Sequence, residues 1–318
     1  MVCLPVMTFY CIFSALSGLS ISYCLQLTNT VQWMLQAIGE TENYMTSVER
    51  VLSYTQLQPE PGYDTIIPHA PKDWPENGCV TFRNVSLSYF LGGPPVLKNI
   101  SFSAAAGEKI GIVGRTGAGK SSLIACLLRM PANTEGEIII DGICVADLNV
   151  QDVRTAIAVI PQSPFLFNDV LRRSLDPADK FTDEELWDIL DKVKLKSTVV
   201  NRDGQLYCHV TENGANFSVG ERQLICFARA LLFGKKVIVM DEATSSVDTK
   251  TDELIQSIIC KEMNHCTVLT IAHRLSTISD YDRIMVLSEG KIIEMDSPKV
   301  LLSNELSYFY QLYHSVKS

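Results

Sequence analysis

No basic residue precedes Arg50, and no charge of either sign precedes Glu40. A secretory signal peptide needs a positive stretch at its start and a short apolar centre, so this stretch is not expected to be one. Ten cysteines are present, yet none forms a C-x-x-C pair, and most sit in apolar stretches. They read as small core residues of a reducing compartment and give no disulfide framework or zinc site. Positive charge is in deficit: 27 Lys and Arg against 36 Asp and Glu leave a net charge of −9 and a pI near 5.1. That balance argues against a general nucleic-acid binder. No internal repeat is visible.

The 318 residues are enough for a large core and a further segment. Hydrophobic residues make up 47% and mean hydropathy is +0.13, with the excess at the N-terminus. Val2 to Leu27 is almost wholly apolar or small, longer than the roughly 20 residues that cross a bilayer as a helix. A transmembrane helix is expected there, and Gly18 with its neighbouring serines suits close packing against other membrane helices. Val31, Met34, Leu35, Ile38, Tyr44, Met45, Val48, Val51 and Leu52 continue at helical spacing, with Glu40, Glu42, Glu49 and Arg50 between them. One long helix that leaves the membrane and runs on into the cytosol is the simplest reading. Pro59, Pro61, Pro68, Pro71 and Pro75 then mark a linker. The expected organisation is 1–57 helical, 58–78 linker and 79–318 a folded domain.

Within that domain, Lys109 to Val113 reads as a buried strand and Ser122 to Leu128 as a helix. Between them stands Gly114-Arg115-Thr116-Gly117-Ala118-Gly119-Lys120-Ser121, a G-x-x-x-x-G-K-[ST] phosphate loop in the strand-to-helix context that the motif requires. Glycines let successive backbone N–H groups turn toward one anion, and the helix N-terminus adds its own free N–H groups. Lys120 places a point charge on the β- and γ-phosphates, and the Ser121 hydroxyl is a ligand for Mg²⁺.

Strands are also expected over 79–89, 96–104, 136–142, 156–160, 236–242, 267–273, 283–287 and 291–294, with helix-rich chain from 170 to 232. Buried strands alternating with helices indicate an α/β sheet with ligands at the strand C-termini. Three strands end in polar residues: Gln162, the pair Asp241-Glu242, and His273. Asp241 is placed to hold Mg²⁺, Glu242 to orient or deprotonate a water, and His273 to hydrogen-bond a γ-phosphate. Taken singly, the histidine suits a structural role equally well, and an Asp-Glu pair suits a solvated turn.

Over Cys79 to Ser318 the motifs in order resemble the nucleotide-binding domain of ATP-binding cassette (ABC) transporters. The resemblance implies an α/β P-loop ATPase with a helical signature subdomain at about 166–235. It places Tyr89 where an aromatic stacks on adenine, although a strand tyrosine of the core fits the position too. The loop Gly114 to Ser121, with Ser122, would bind ATP. Gln162 would be the Q-loop glutamine near Mg²⁺, Asp241 the magnesium-site aspartate, Glu242 the catalytic glutamate and His273 the switch histidine.

Asn216-Phe217-Ser218-Val219-Gly220-Glu221-Arg222-Gln223 matches the family signature, and Ser245-Ser246-Val247-Asp248 the D-loop. In such transporters each ATP lies between one phosphate loop and the other domain's signature. Ser218, Val219, Gly220 and Glu221 would therefore meet a nucleotide held by a partner domain. Glu221 stands where glutamine is commoner, and its charge is expected to repel that nucleotide's γ-phosphate.

Finer features, including the segment Glu42 to Tyr54, resemble subfamily C, the multidrug resistance-associated type, and its second nucleotide domain. The resemblance implies ATP hydrolysis coupled to export of an organic anion or amphipathic substrate. It also implies an integral membrane protein, at the plasma membrane, with its nucleotide domain in the cytosol. The remaining membrane helices and a second nucleotide domain would come from elsewhere. Two other readings stay open: an ATP-gated channel or channel regulator, and a soluble ABC ATPase.

Overall fold

The computed structural model describes all residues except 1–2, 58–59, 64–67, 91, 132, 242, 244–247, 273 and 318, and leaves aside the side chains of 3–11, 249, 276 and 315–317. The chain divides into two compact units, Met1–Glu60 and Pro61–Ser318.

The first unit is one helix, α1 (Cys3–Thr55), of 53 residues. At 1.5 Å per residue it is about 80 Å long. Among the described residues no helix is long and apolar enough to cross a membrane. The membrane span expected over 2–27 reaches beyond the residues whose side chains are described, and the described part of α1 alone is not apolar enough to be one. Ser14, Ser17, Ser20 and Ser22 dilute the run. Three of their hydroxyls are turned back on the helix itself, Ser17 to the Phe13 carbonyl, Ser20 to Leu16 and Ser22 to Gly18, at 2.8, 2.9 and 3.0 Å. Large apolar side chains from Ile12 to Tyr54 are nevertheless exposed all along this unit.

The second unit contains β1 (Val80–Leu87), β2 (Leu97–Ala104), β3 (Lys109–Val113), α2 (Lys120–Leu127), β4 (Thr134–Ile140), β5 (Ile143–Cys144), α3 (Val150–Ala156) and β6 (Ile157–Ile160). Then follow α4 (Leu171–Leu175), α5 (Asp183–Lys192), α6 (Lys196–Val200), α7 (Val219–Leu232), β7 (Val237–Asp241), α8 (Thr249–Lys261) and β8 (Thr267–Ile271). The chain closes with β9 (Arg283–Ser288), β10 (Lys291–Asp296), α9 (Pro298–Ser303) and α10 (Tyr308–Lys317).

Two sheets form where the alternation of strands and helices suggests one. A four-stranded sheet has the order β2-β1-β4-β5, and a six-stranded sheet the order β10-β9-β3-β8-β7-β6. The reason lies in the residues. β1 and β2 alternate buried and exposed positions, the pattern of an antiparallel sheet with one wet face. β3, β7 and β9 are apolar runs buried almost throughout, as parallel strands covered on both faces are. From β9 to β6 all neighbours are parallel, and only β10 runs against β9.

The inner face of the first sheet packs with α2 and with β3, β7 and β8 in one apolar cluster. A second cluster joins α4 to α8 with residues of β6, β7 and β8. Two of its helices start on capping boxes. Thr182 and Glu185 close a capping box at α5, and Ser218 and Glu221 do so at α7.

Part of the proline-rich stretch is strapped onto the second unit. The N–H groups of Asn77, Gly78 and Cys79 donate to the Asp141 carboxylate at 2.8, 3.0 and 2.7 Å. The Trp74 indole N–H donates to the Ile140 carbonyl at 3.0 Å, and the Ala70 N–H to the Asp152 carboxylate at 2.9 Å.

Candidate functional site: a phosphate loop at the strand ends

Strand register brings the expected residues to one edge of the six-stranded sheet. Ile112 on β3 faces Ile271 on β8, Ile271 faces Asp241 on β7, and Met240 faces Ile160 on β6. These strands are parallel, so the phosphate loop after β3, Asp241 at the end of β7 and Gln162 after β6 all emerge at the C-terminal edge. The phosphate loop and Asp241 are separated by two strand spacings, about 10 Å. Glu242 and His273 follow Asp241 and Ala272 in the chain but lie outside the described residues, as do Ser245, Ser246 and Val247.

The loop has the backbone that the motif needs. Gly117 and Gly119 have φ of 82° and 102°, in the left-handed region that favours glycine. A Cβ at Gly119 would lie 2.8 Å from Leu97 Cδ2, so a side chain there would meet strand β2. The Ala118 N–H donates to the Arg115 carbonyl at 3.1 Å. Gly119 caps α2 without a side chain, so no side-chain group competes for the helix's first N–H groups.

Lys120 folds across the loop. Its Nζ donates to the Gly114 carbonyl at 2.8 Å and to the Arg115 carbonyl at 3.2 Å. A cation in the curve of the loop, followed by a helix N-terminus, fits a polyphosphate. Thr116 and Ser121 are exposed, while Ala118 and Ser122 are buried. Arg115 turns elsewhere: its guanidinium carbon lies 6.0 Å from the centroid of the Tyr308 ring on α10. Ser121 at the start of α2 and half-buried Asp241 supply hard oxygen donors, the type that Mg²⁺ prefers.

Tyr89 is not a core residue. It is 56% exposed, which removes the strand-core alternative, and its hydroxyl lies 3.0 Å from the Ser122 hydroxyl. Its ring therefore stands beside the first turn of α2 with aromatic surface available for stacking.

The signature opens α7. The Ser218 hydroxyl accepts from the Glu221 N–H at 3.2 Å, and Glu221 Oε2 accepts from the Ser218 N–H at 2.7 Å. Gly220 passes close to α8, where a Cβ would lie 3.1 Å from Thr251 Cγ2. Val219 is exposed and Gly220 half-buried. Asp248, the described residue of the D-loop, caps α8 through the Thr251 N–H and hydroxyl at 3.2 and 2.8 Å. Those two hydrogen bonds hold its carboxyl below the usual carboxylate range.

Three connections in the site escaped sequence reasoning. The Gly290 N–H, in the turn between β9 and β10, donates to the Ala118 carbonyl at 3.1 Å. Buried Gln223 on α7 donates to the Pro161 carbonyl at 3.3 Å, beside Gln162. Arg202, in the turn after α6, reaches both Asn216 and Glu221. Each is a contact between segments far apart in sequence.

Comparison with known proteins agrees with this geometry. Residues 97–245 match the family model described as ABC transporter. The chain is 48% identical over 295 residues to human "ATP-binding cassette sub-family C member 4", covering 93% of this chain and 22% of that protein. It is 46% identical over 288 residues to rat "ATP-binding cassette sub-family C member 3", covering 91% of this chain and 19% of that protein. A bacterial Atm1-family ABC exporter solved with ATP bound superposes with a TM-score of 0.79 at 29% identity, over 87% of this chain and 48% of that one. The chain thus spans about a fifth of the length of the curated relatives it matches. The phosphate loop and the strand-end carboxylate thus lie within the residues that match the ABC transporter family, and over 93% of its length the chain is similar to a member of sub-family C.

Proposed function

We propose that the chain binds and hydrolyses MgATP and so drives export of a substrate by a transporter of the multidrug resistance-associated type. The observation that carries this reading is the row Ile112, Ile271, Asp241, which sets the phosphate loop and a strand-end carboxylate at one sheet edge.

In this reading Lys120 and the loop N–H groups take the β- and γ-phosphates, and Tyr89 stacks on the adenine. Ser121 and Asp241 hold Mg²⁺, with Gln162 near it, and the ion supplies neutralisation of phosphate charge. Glu242 orients and deprotonates the attacking water, and His273 hydrogen-bonds the γ-phosphate. Ser218, Gly220 and their neighbours complete the site of a second nucleotide domain, and Asp248 lies at the contact between the two.

The membrane part is supplied elsewhere. α1 exposes large apolar residues along its length, surface that other helices can cover. In the second unit a groove of about 520 Å³ is lined by Pro161, next to Gln162 in the chain, with exposed Phe165 and Phe167 on its wall. It offers apolar surface on which a membrane domain can dock and through which closure of the nucleotide domains is transmitted. We place the assembly at the plasma membrane with this domain in the cytosol and an organic anion or amphipathic compound as cargo.

The test is MgATP hydrolysis by the full chain beside Glu242→Gln. The variant is expected to keep ATP binding and to lose turnover by at least roughly a hundredfold. Undiminished hydrolysis in Glu242→Gln would remove the assignment.

A further inference from the structure

Glu221 brings a negative charge to the signature, where the proposed reading puts another domain's γ-phosphate. The structure shows where that charge goes. Glu221 Oε2 accepts from the Ser218 N–H at 2.7 Å and lies 3.4 Å from Arg202 Nη2. Arg202 Nη1 donates to the Asn216 carbonyl at 3.0 Å, and its guanidinium carbon sits 3.8 Å above the centroid of the Phe217 ring. Phe217 is buried at 3% exposure, and the Arg202 and Glu221 side chains are only about a quarter exposed, at 25% and 24%. One guanidinium thus touches three members of the signature: Asn216 by its backbone, Phe217 by its ring and Glu221 by its carboxylate.

We propose that Arg202 is a positioning residue for the signature. It draws the Glu221 carboxylate back onto the α7 N-terminus and offsets its charge, so that Ser218 and the helix N-terminus can still receive a phosphate.

The physical argument is one of sign. A helix N-terminus favours an anion through free N–H groups and a partial positive charge. An unpaired carboxylate at the third helical position would cancel much of that attraction and repel phosphate at short range. A glutamine there carries no such charge and needs no arginine. Arg202 restores the balance, and its stacking on Phe217 fixes where the guanidinium sits. The like-charge conflict expected from the sequence is thereby resolved inside the domain.

This inference rests on the reading that the signature receives a nucleotide, and the test separates the two. MgATP hydrolysis by the full chain is measured across protein concentrations for wild type, Arg202→Ala, Glu221→Gln, the double variant and Ser218→Arg. Binding of a fluorescent ATP analogue reports the Lys120 site separately, and thermal melting reports folding. Arg202→Ala is expected to lower turnover on the order of tenfold, with analogue binding unchanged. In the Glu221→Gln background the same substitution should cost less than about twofold.

A role confined to packing on Phe217 would give the same loss in both backgrounds, and that result overturns the inference alone. So would an Arg202→Ala chain with full turnover while Ser218→Arg is inactive. If Ser218→Arg hydrolyses ATP as wild type does, the shared-site reading fails and the inference with it.

Discussion

The Tyr89 hydroxyl lies 3.0 Å from the Ser122 hydroxyl on the first turn of α2. The pair ties an exposed aromatic ring to the helix that carries Lys120 and Ser121; in the proposed reading the base end and the phosphate end of the nucleotide site share that anchor. If the ring stacks on adenine, its face matters more than its hydroxyl. Tyr89→Phe should change ATP affinity little, whereas Tyr89→Ala should weaken it about two- to tenfold. Titration with a fluorescent ATP analogue decides the matter. Equal affinity in wild type and Tyr89→Ala would show that the ring does not stack.

Much of this site was legible because its parts are local. The phosphate loop is eight consecutive residues whose geometry follows from Gly117 and Gly119 with a strand and helix on either side. The strand-end residues Gln162 and Asp241 were found because apolar β-branched runs stop at them. What escaped were contacts made by folding. Nothing near Gly290 in the sequence announces that its N–H meets Ala118, and nothing near Arg202 announces Glu221. At the N-terminus, serines that satisfy themselves within the helix look small and apolar but lower the hydropathy of its described part. The split into two sheets was written in the alternation of β1 and β2 and was hidden by reading all strands as one layer.

Gly290 is a demanding position. Its φ is 77°, and a Cβ would lie 2.1 Å from the Val96 carbonyl oxygen, which is backbone and cannot step aside. The same residue donates from its N–H to the Ala118 carbonyl and accepts at its carbonyl from the Lys98 N–H, at 3.1 and 2.8 Å. Gly290→Ala should therefore disturb the phosphate loop as well as the turn. Gly92 is the control, with φ of 75° and open space around its Cβ direction. Gly92→Ala should cost about 1 kcal/mol from backbone strain. Gly290→Ala should cost about 2–4 kcal/mol and weaken ATP binding severalfold. Melting curves and ATP titration on both variants check this. Equal effects at the two sites would mean that the Ala118 contact is unimportant.

Glu108, in the turn between β2 and β3, fixes the far end of the sheet through Arg283 on β9. Its Oε2 accepts from Arg283 Nη2 at 2.8 Å and from the Ala105 N–H at 2.7 Å, while Oε1 accepts from Arg283 Nε. The Glu108 side chain is 13% exposed. Burial pushes its carboxyl up, but the Arg283 hydrogen bonds, the Ala105 amide and the Arg283 charge together outweigh that and hold it below its ordinary value of 4.5. A carboxyl whose pKa is lower folded than unfolded stabilises the fold when ionised. The contribution is complete above pH 4.5 and disappears as the pH falls through the lower, folded value. Glu108→Gln removes the charge at every pH and should cost about 1–3 kcal/mol at neutral pH. The gap between the melting temperatures of wild type and variant should then narrow on acidification below about pH 4. A gap that stays constant, or widens toward acid, would show that ionisation of Glu108 does not support the fold.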